Sequence, residues 1–391
     1  MEKAVPLSDR QSILVAIALS MAPATALGYG RFAYSLLLPE MRSALHWSYL
    51  QAGTMNTVNA AGYLLGAFLA SRISRRLGVG RTFRLTALLM TATLAMTASA
   101  TDYYQLLLLR SLAGLFGSIL FVVGSGLVQF IALNVSTSQV PAVLGTYFAG
   151  AGVGTALSGI AIPLVVRLPA SWPAGWLVLA GISGGSLAVA AVASRRIGEP
   201  IGSSSSNFHG RQYLKLLPTF VAYGLFGLGY MTFLTYQVAY MKHVGLPEGR
   251  VILIYVAMGV SVTLGVFVWH RPLGRLRPHL AAVSVYATAA AGGVAFLASV
   301  ALGVEVLGSF LFGICLMTTS TVVSLFSRQL LPSAMQTGAM GIATVFIGAG
   351  QAIGPLLGGI ASSSTLGLRG AVGVGVLGIV AAAIVGSLQR G

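Results

Sequence analysis

Twelve apolar stretches occupy most of this 391-residue chain, near residues 11–39, 48–71, 82–101, 103–133, 141–166, 172–194, 213–241, 250–270, 280–302, 304–327, 338–362 and 367–388. Each reaches the roughly 20 residues that an α-helix needs to cross the hydrocarbon core of a bilayer. Lipid offers no partner to backbone N–H and C=O groups, so spans of this length and composition must be helical. The expected fold is an all-α membrane protein with twelve transmembrane helices. Charged residues make up only 8% of the chain, too few to cover a soluble protein of this size, and the 50 glycines suit closely packed membrane helices. The first stretch is too long for a signal-peptide core and is expected in the mature protein.

The net charge of +16 invites a polyanionic partner, but its distribution argues against one. With the N-terminus in the cytoplasm, sixteen Lys and Arg fall on that side and five on the other, leaving Arg31 and Arg110 inside apolar stretches. This positive-inside pattern makes the basicity a topology signal, with both termini cytoplasmic, the lipid bilayer as partner and no nucleic acid. The lone Cys315 allows no intramolecular disulfide, and the five histidines form no metal-binding spacing. No cofactor or metal is expected.

The one substantial polar break is 195–212, RRIGEPIGSSSSNFHGRQ, which reads as a flexible cytoplasmic linker between a bundle at 1–194 and another at 213–391. The two parts look like copies. Leu27-Gly28-Tyr29 and Phe32 match Leu228-Gly229-Tyr230 and Phe233. Gly66, Arg72 and Arg76 match Gly265, Arg271 and Arg275, while Gly145 and Gly154 match Gly341 and Gly350.

Duplicated six-helix halves joined by a cytoplasmic linker resemble the major facilitator superfamily over essentially the whole chain. The resemblance implies two pseudo-symmetric bundles rocking about a solute site near the bilayer midplane, lined chiefly by helices 1, 4, 7 and 10. Gly28-Tyr29-Gly30-Arg31-Phe32-Ala33-Tyr34 and Asn56-Thr57-Val58-Asn59-Ala60-Ala61-Gly62-Tyr63 resemble the bacterial branch labelled YbfB/YjiJ. A monomer in the bacterial inner membrane is then expected. The basic loop Arg72–Arg81, preceded by Gly66, sits where the superfamily keeps its first signature, a gating loop, with Ala70 at the position of its Asp. Topology-setting charge is the primary reading of Arg72 and Arg76, gating the secondary one. Arg110-Ser-Leu-Ala113-Gly114 resembles the second signature, with Ala113 in place of Gln; the Arg there is tied to proton or substrate coupling. Gly341, Gly350, Gly354, Pro355, Gly358 and Gly359 reproduce the spacing that superfamily antiporters carry in helix 5, here moved to helix 11. Glycines four apart form a bare ridge for backbone-to-backbone packing, and Pro355 kinks it. Packing and hinge action is the primary reading of this motif, proton-driven export the secondary one.

Arg31 and Arg110 carry the functional reading. A guanidinium in the membrane keeps its proton and persists only where a cavity, a partner or an anion meets it. Both lie towards the outer side of their stretches, and no stretch has an acid at its middle. Arg110 has an alternative role, capping carbonyls of a broken neighbouring helix or snorkelling outward. Tyr223, Phe226, Tyr230, Phe233 and Gln237 recur three and four apart, hence on one helix face. Tyr29, Phe32 and Tyr34 flank Arg31, and Asn56, Asn59, Tyr147, Thr318 and Thr321 add polar groups on other pore helices. Glu40, at the outer end of the first stretch, is the one acid placed for proton coupling. The expected activity is secondary transport, by alternating access, of a small anionic organic solute, by proton symport or anion exchange. The rival is proton-coupled efflux of drugs or metabolites. No nucleophile–base pair supports an enzyme.

Overall fold

The computed structural model describes residues 8–166, 171–195, 197 and 210–389, and every described element is helical. The predicted linker 195–212 lies largely outside these residues, as do both chain ends. Twelve helical spans run in order: α1 (Asp9–Ala44), α2 (Tyr49–Leu77), α3 (Val79–Thr97), α4 (Tyr103–Ala132), α5 (Val140–Val166) and α6 (Ser171–Ser194). They continue with α7 (Leu217–His243), α8 (Glu248–Val268), α9 (Pro278–Ala298), α10 (Leu302–Gly313 and Thr319–Leu330), α11 (Ser333–Ala361) and α12 (Gly367–Ser387). Among the described residues nine helices are long and apolar enough to cross a membrane by themselves. The other three are α2, which carries Asn56 and Asn59; α3, which opens with Arg81 and Arg84; and the divided α10.

Local chemistry sets the starts. Ser8 and Gln11 form a capping box at α1, Ser48 and Gln51 another at α2, and the Asp102 side chain accepts from the Gln105 amide at α4. The loop expected after the second stretch is a single residue. Helix α2 continues through Arg72 and Arg76, both exposed, and Gly78, at φ 83°, turns the chain directly into α3.

Two spans depart from regular α-helix. In α1, Ala24–Phe32 is π-helical after Pro23, and the Ala33 amide reaches back five residues to the Gly28 carbonyl. The expected continuous stretch 304–327 is interrupted: Leu316 and Thr318 amides bond three residues back, to Gly313 and Cys315. Apolar periodicity runs through this break, so it is invisible in the sequence. Tertiary packing accounts for it, because Gly265 of α8 brings its backbone against the Ile314 carbonyl so closely that a Cβ there would collide.

Helices α2 and α4 pack together in the first part of the chain, and α7 packs on α11 and α12 in the second. Pairs α5–α8 and α2–α11 join the two. Of the ridge glycines, Gly350 and Gly354 lie against the Gly224 and Leu228 carbonyls of α7, and Gly358 against Thr232 and Tyr236. Gly359 instead faces Leu50 of α2, and Gly341 has open space where a Cβ would be. Gly154 in α5 meets the Ala24 carbonyl of α1 as Gly350 in α11 meets Gly224 of α7, a repeat of contact as well as of sequence. Large apolar side chains such as Phe68, Leu88, Leu108 and Leu377 are exposed on the periphery, where lipid would cover them.

Candidate solute cavity

A cavity of about 870 Å³ penetrates the bundle. Its mouth is lined by Pro141, His270, Gly274 and Arg328, at the ends of α5, α8 and α10. The turn after α2, with its arginines, connects spans on this same face. Arg31, Phe32, Tyr63, Tyr230 and Gln351 line the opposite, deep end. Between the two lie mostly apolar side chains, including Phe121, Leu144, Phe148, Phe267, Leu316, Met317, Leu325 and Ile347. No carboxylate is among the described lining residues.

The deep end is built around Arg31. The side chain is only 2% exposed, its Nη2 donates to Gln351 Oε1 at 2.6 Å, and its guanidinium lies 5.0 Å from the Tyr63 ring centre. Gln351 Nε2 in turn donates to the Tyr230 hydroxyl oxygen at 2.6 Å. Three consequences follow. Among the described residues no carboxylate neutralises the guanidinium. Its Nε–H is buried without a partner. Tyr230, used here as an acceptor, keeps its own O–H proton free to donate. A neutral amide oxygen is thus the hydrogen-bond acceptor that the guanidinium meets at the deep end.

Arg110 is placed differently. It is 1% exposed but does not line the cavity. Its Nη1 donates to the Gly30 carbonyl at 2.7 Å and its Nη2 to Asn56 Oδ1 at 3.1 Å; Tyr34 and Trp176 rings flank it at 4.8 and 5.4 Å. The Gly30 carbonyl sits near the end of the π-helical segment, where α1 returns to α-helical geometry. Phe32, two residues on, has its carbonyl taken by the Tyr255 hydroxyl at 2.6 Å. Arg110 therefore holds the backbone next to Arg31 instead of presenting a second charge to a solute.

Among the other predicted site residues, Phe32, Tyr223, Tyr230, Thr318 and Thr321 line the cavity with Arg31. The remainder are tied elsewhere. Tyr29 is buried in the core, Tyr34 donates to the Ala52 carbonyl, and Asn59 to the Arg110 carbonyl. Asn56 donates to Thr235 Oγ1 at 2.8 Å, and Tyr147 to the Phe121 carbonyl at 2.7 Å. Phe226 packs on Tyr230 and Tyr286, Phe233 on Phe296 and Phe312, and Gln237 against Met258. The stripe on α7 faces the cavity through Tyr223 and Tyr230 only. Gln351 and Tyr63 are the residues sequence reasoning missed. A lone amide inside an apolar span, one position after Gly350, was the available signal for the first.

Beyond Arg31 the two parts of the chain are bolted together. Across them Thr57 donates to the Ala352 carbonyl at 2.7 Å, Asn56 to Thr235 Oγ1 at 2.8 Å, and Tyr236, which also reaches the Pro355 carbonyl of its own part, towards the Tyr49 carbonyl at 3.1 Å. Glu40 pairs with Lys242 at 2.8 Å, with both side chains about one-third exposed (36% and 32%). Glu40 thus lies at the sealed end, outside the cavity.

Twelve helices around a cavity open on one face and closed on the other suit a secondary transporter, the class that the family match establishes. The chain matches the family described as uncharacterised MFS-type transporter YbfB over residues 23–387, and it belongs to that family. No curated protein sequence matches it. Among solved structures, the fold is shared with a bacterial homologue of the human lysosomal transporter Spinster in an inward-facing, unoccupied conformation (TM-score 0.72, 13% identity, 98% of each chain covered). It is also shared with a single-residue mutant of the nucleoside transporter NupG (TM-score 0.75, 12% identity, 97% of this chain and 100% of that one). Identities this low carry the fold and no substrate.

Proposed function

We propose that the protein carries a small organic anion across the bacterial inner membrane, binding it at Arg31. The observation that supports this most is an unneutralised, buried guanidinium at the blind end of an open cavity that no described carboxylate lines. Burying a cation without a counter-charge is unfavourable by several kcal/mol, and an anionic solute relieves that penalty only while it is bound. The Tyr230 hydroxyl, oriented by Gln351, supplies a second donor. Transport proceeds by rocking of bundles 1–194 and 213–391 about this site, with the arginine-rich face and both termini in the cytoplasm, in a monomer. The coupling is proton symport or anion exchange, since an anion can carry its own proton and needs no carboxylate in the cavity. Proton-driven efflux draws support from the glycine motif of α11, but contact with α7 already accounts for Gly350, Gly354 and Gly358 within it.

Thermal melting of the purified protein with carboxylates, inorganic oxyanions and lipophilic cations tests the reading. A ligand that prefers the folded state raises the melting temperature with its occupancy. Stabilisation by anions that is lost in Arg31→Gln is expected. Stabilisation by lipophilic cations alone, unchanged in that variant, overturns it.

A further inference from the structure

Between mouth and blind end the cavity wall is chemically one-sided. Four of its hydroxyl groups are spent on their own helices, Ser125 donating to the Val122 carbonyl, Thr318 to Ile314, Ser320 to Met317 and Thr344 to Met340, which leaves those of Tyr223 and Thr321. Such back-bonded hydroxyls have no proton left for a solute. The surfaces between them are the rings of Phe121, Phe148 and Phe267 and the aliphatic side chains around them. The blind end offers a single positive charge, because Arg110 is withdrawn to the Gly30 carbonyl and Asn56. Solutes with several hydroxyls or a second nearby charge would leave those groups facing apolar walls, an unfavourable burial.

We infer that the solute is an amphipathic monocarboxylate: one carboxylate at Arg31 and Tyr230, and an unbranched alkyl or aryl body lying along the apolar wall towards the mouth. This rests on the anion reading above and narrows it. Dicarboxylates, sugar acids and inorganic oxyanions are excluded as preferred solutes. The Arg328 cation at the mouth draws anions in without holding their bodies.

The test is a titration of the full-length protein in detergent or nanodiscs with acetate, butyrate and hexanoate, then phenylacetate, phenylacetamide, succinate, gluconate, phosphate and tetraphenylphosphonium. Affinity should rise about fourfold per methylene along the alkyl series, as expected for burial of each CH2. Phenylacetate should bind at least about tenfold tighter than phenylacetamide, the gain expected for a charge-assisted contact. Arg31→Gln should abolish that difference, and Arg31→Lys should keep part of it, which separates lost charge from lost folding. Phe148→Ser should weaken phenylacetate and leave acetate unchanged.

A flat alkyl series, or succinate, gluconate or phosphate binding as tightly as hexanoate in an Arg31-dependent way, overturns this inference and leaves the anion reading standing. Phenylacetamide or tetraphenylphosphonium binding as well as phenylacetate, or no anion binding at all, overturns both.

Discussion

Arg31 and Arg110 look alike in the sequence: each is a lone guanidinium some way off the centre of an apolar span. Their surroundings separate them. Arg31 donates one recorded hydrogen bond, to a neutral amide, and lines the cavity, whereas Arg110 holds Gly30 and Asn56 away from it. Substituting them should therefore fail in different ways. Arg31→Gln should reduce anion affinity about 10- to 100-fold, the value of a charge-assisted bond of roughly 1.5–3 kcal/mol, and raise the melting temperature of the unliganded protein by removing the uncompensated charge; calorimetric titration and melting curves read this. Arg110→Met should remove the buried hydrogen bonds to the Gly30 carbonyl and Asn56 and destabilise the fold by about 1–3 kcal/mol, read as a fall in melting temperature. An Arg110→Met protein as stable as the parent, with affinity lost as in Arg31→Gln, would reverse these assignments. Which arginine lines the cavity was not legible from sequence, because the π-helical turn beside Gly30 has no apolar-pattern signature.

At the scale of elements, the apolar stretches located all twelve spans, with helix ends as far as six residues from their predicted places, as at Leu77 of α2. Polar caps such as Ser48 and Asp102 mark starts that apolar runs blur. What hydropathy missed are irregularities imposed by neighbours, namely the break after Gly313 in α10 and the replacement of a basic loop by Gly78. The glycine ridge of α11 was readable as a packing surface, but not as a surface for α7 in particular. Gly350→Leu should disrupt the protein, since even a Cβ there collides with the Gly224 carbonyl. Overpacking of this kind is unfavourable by about 1–3 kcal/mol or more, which exceeds the roughly 1 kcal/mol of helix propensity that replacing glycine recovers. Gly341→Ala, where a Cβ meets open space, should be neutral or stabilising. Paired melting curves check both, and equal effects at the two positions would contradict the packing described here.

At the scale of the molecule, the contacts near Glu40 and Lys242 hold one face shut while the other lies open. The ion pair is partly exposed, so it contributes only about 0.2–1 kcal/mol, and Glu40→Gln should move the balance of open and closed forms by no more than about fivefold. Spin labels at Ser43 and Val244, on opposite sides of the seal, would report this as a modest growth of the longer-distance population. Complete opening in Glu40→Gln would mean that the buried Tyr236, Thr57 and Asn56 bonds contribute far less than their geometry suggests. The twelve-helix plan, the duplication and the membrane setting were all legible in the chain. The cavity was legible only in part, since the sequence locates polar residues on helices but not the rotation that turns Tyr230 inward and Phe233 into the core.

The most direct test is uptake into vesicles reconstituted with the protein, using the radiolabelled monocarboxylate that binds it most tightly. Saturable uptake, driven by an inward proton gradient or by unlabelled anion trapped inside and lost in Arg31→Gln, is the predicted result. Uptake that proceeds equally well in Arg31→Gln would contradict a transport cycle built on that arginine.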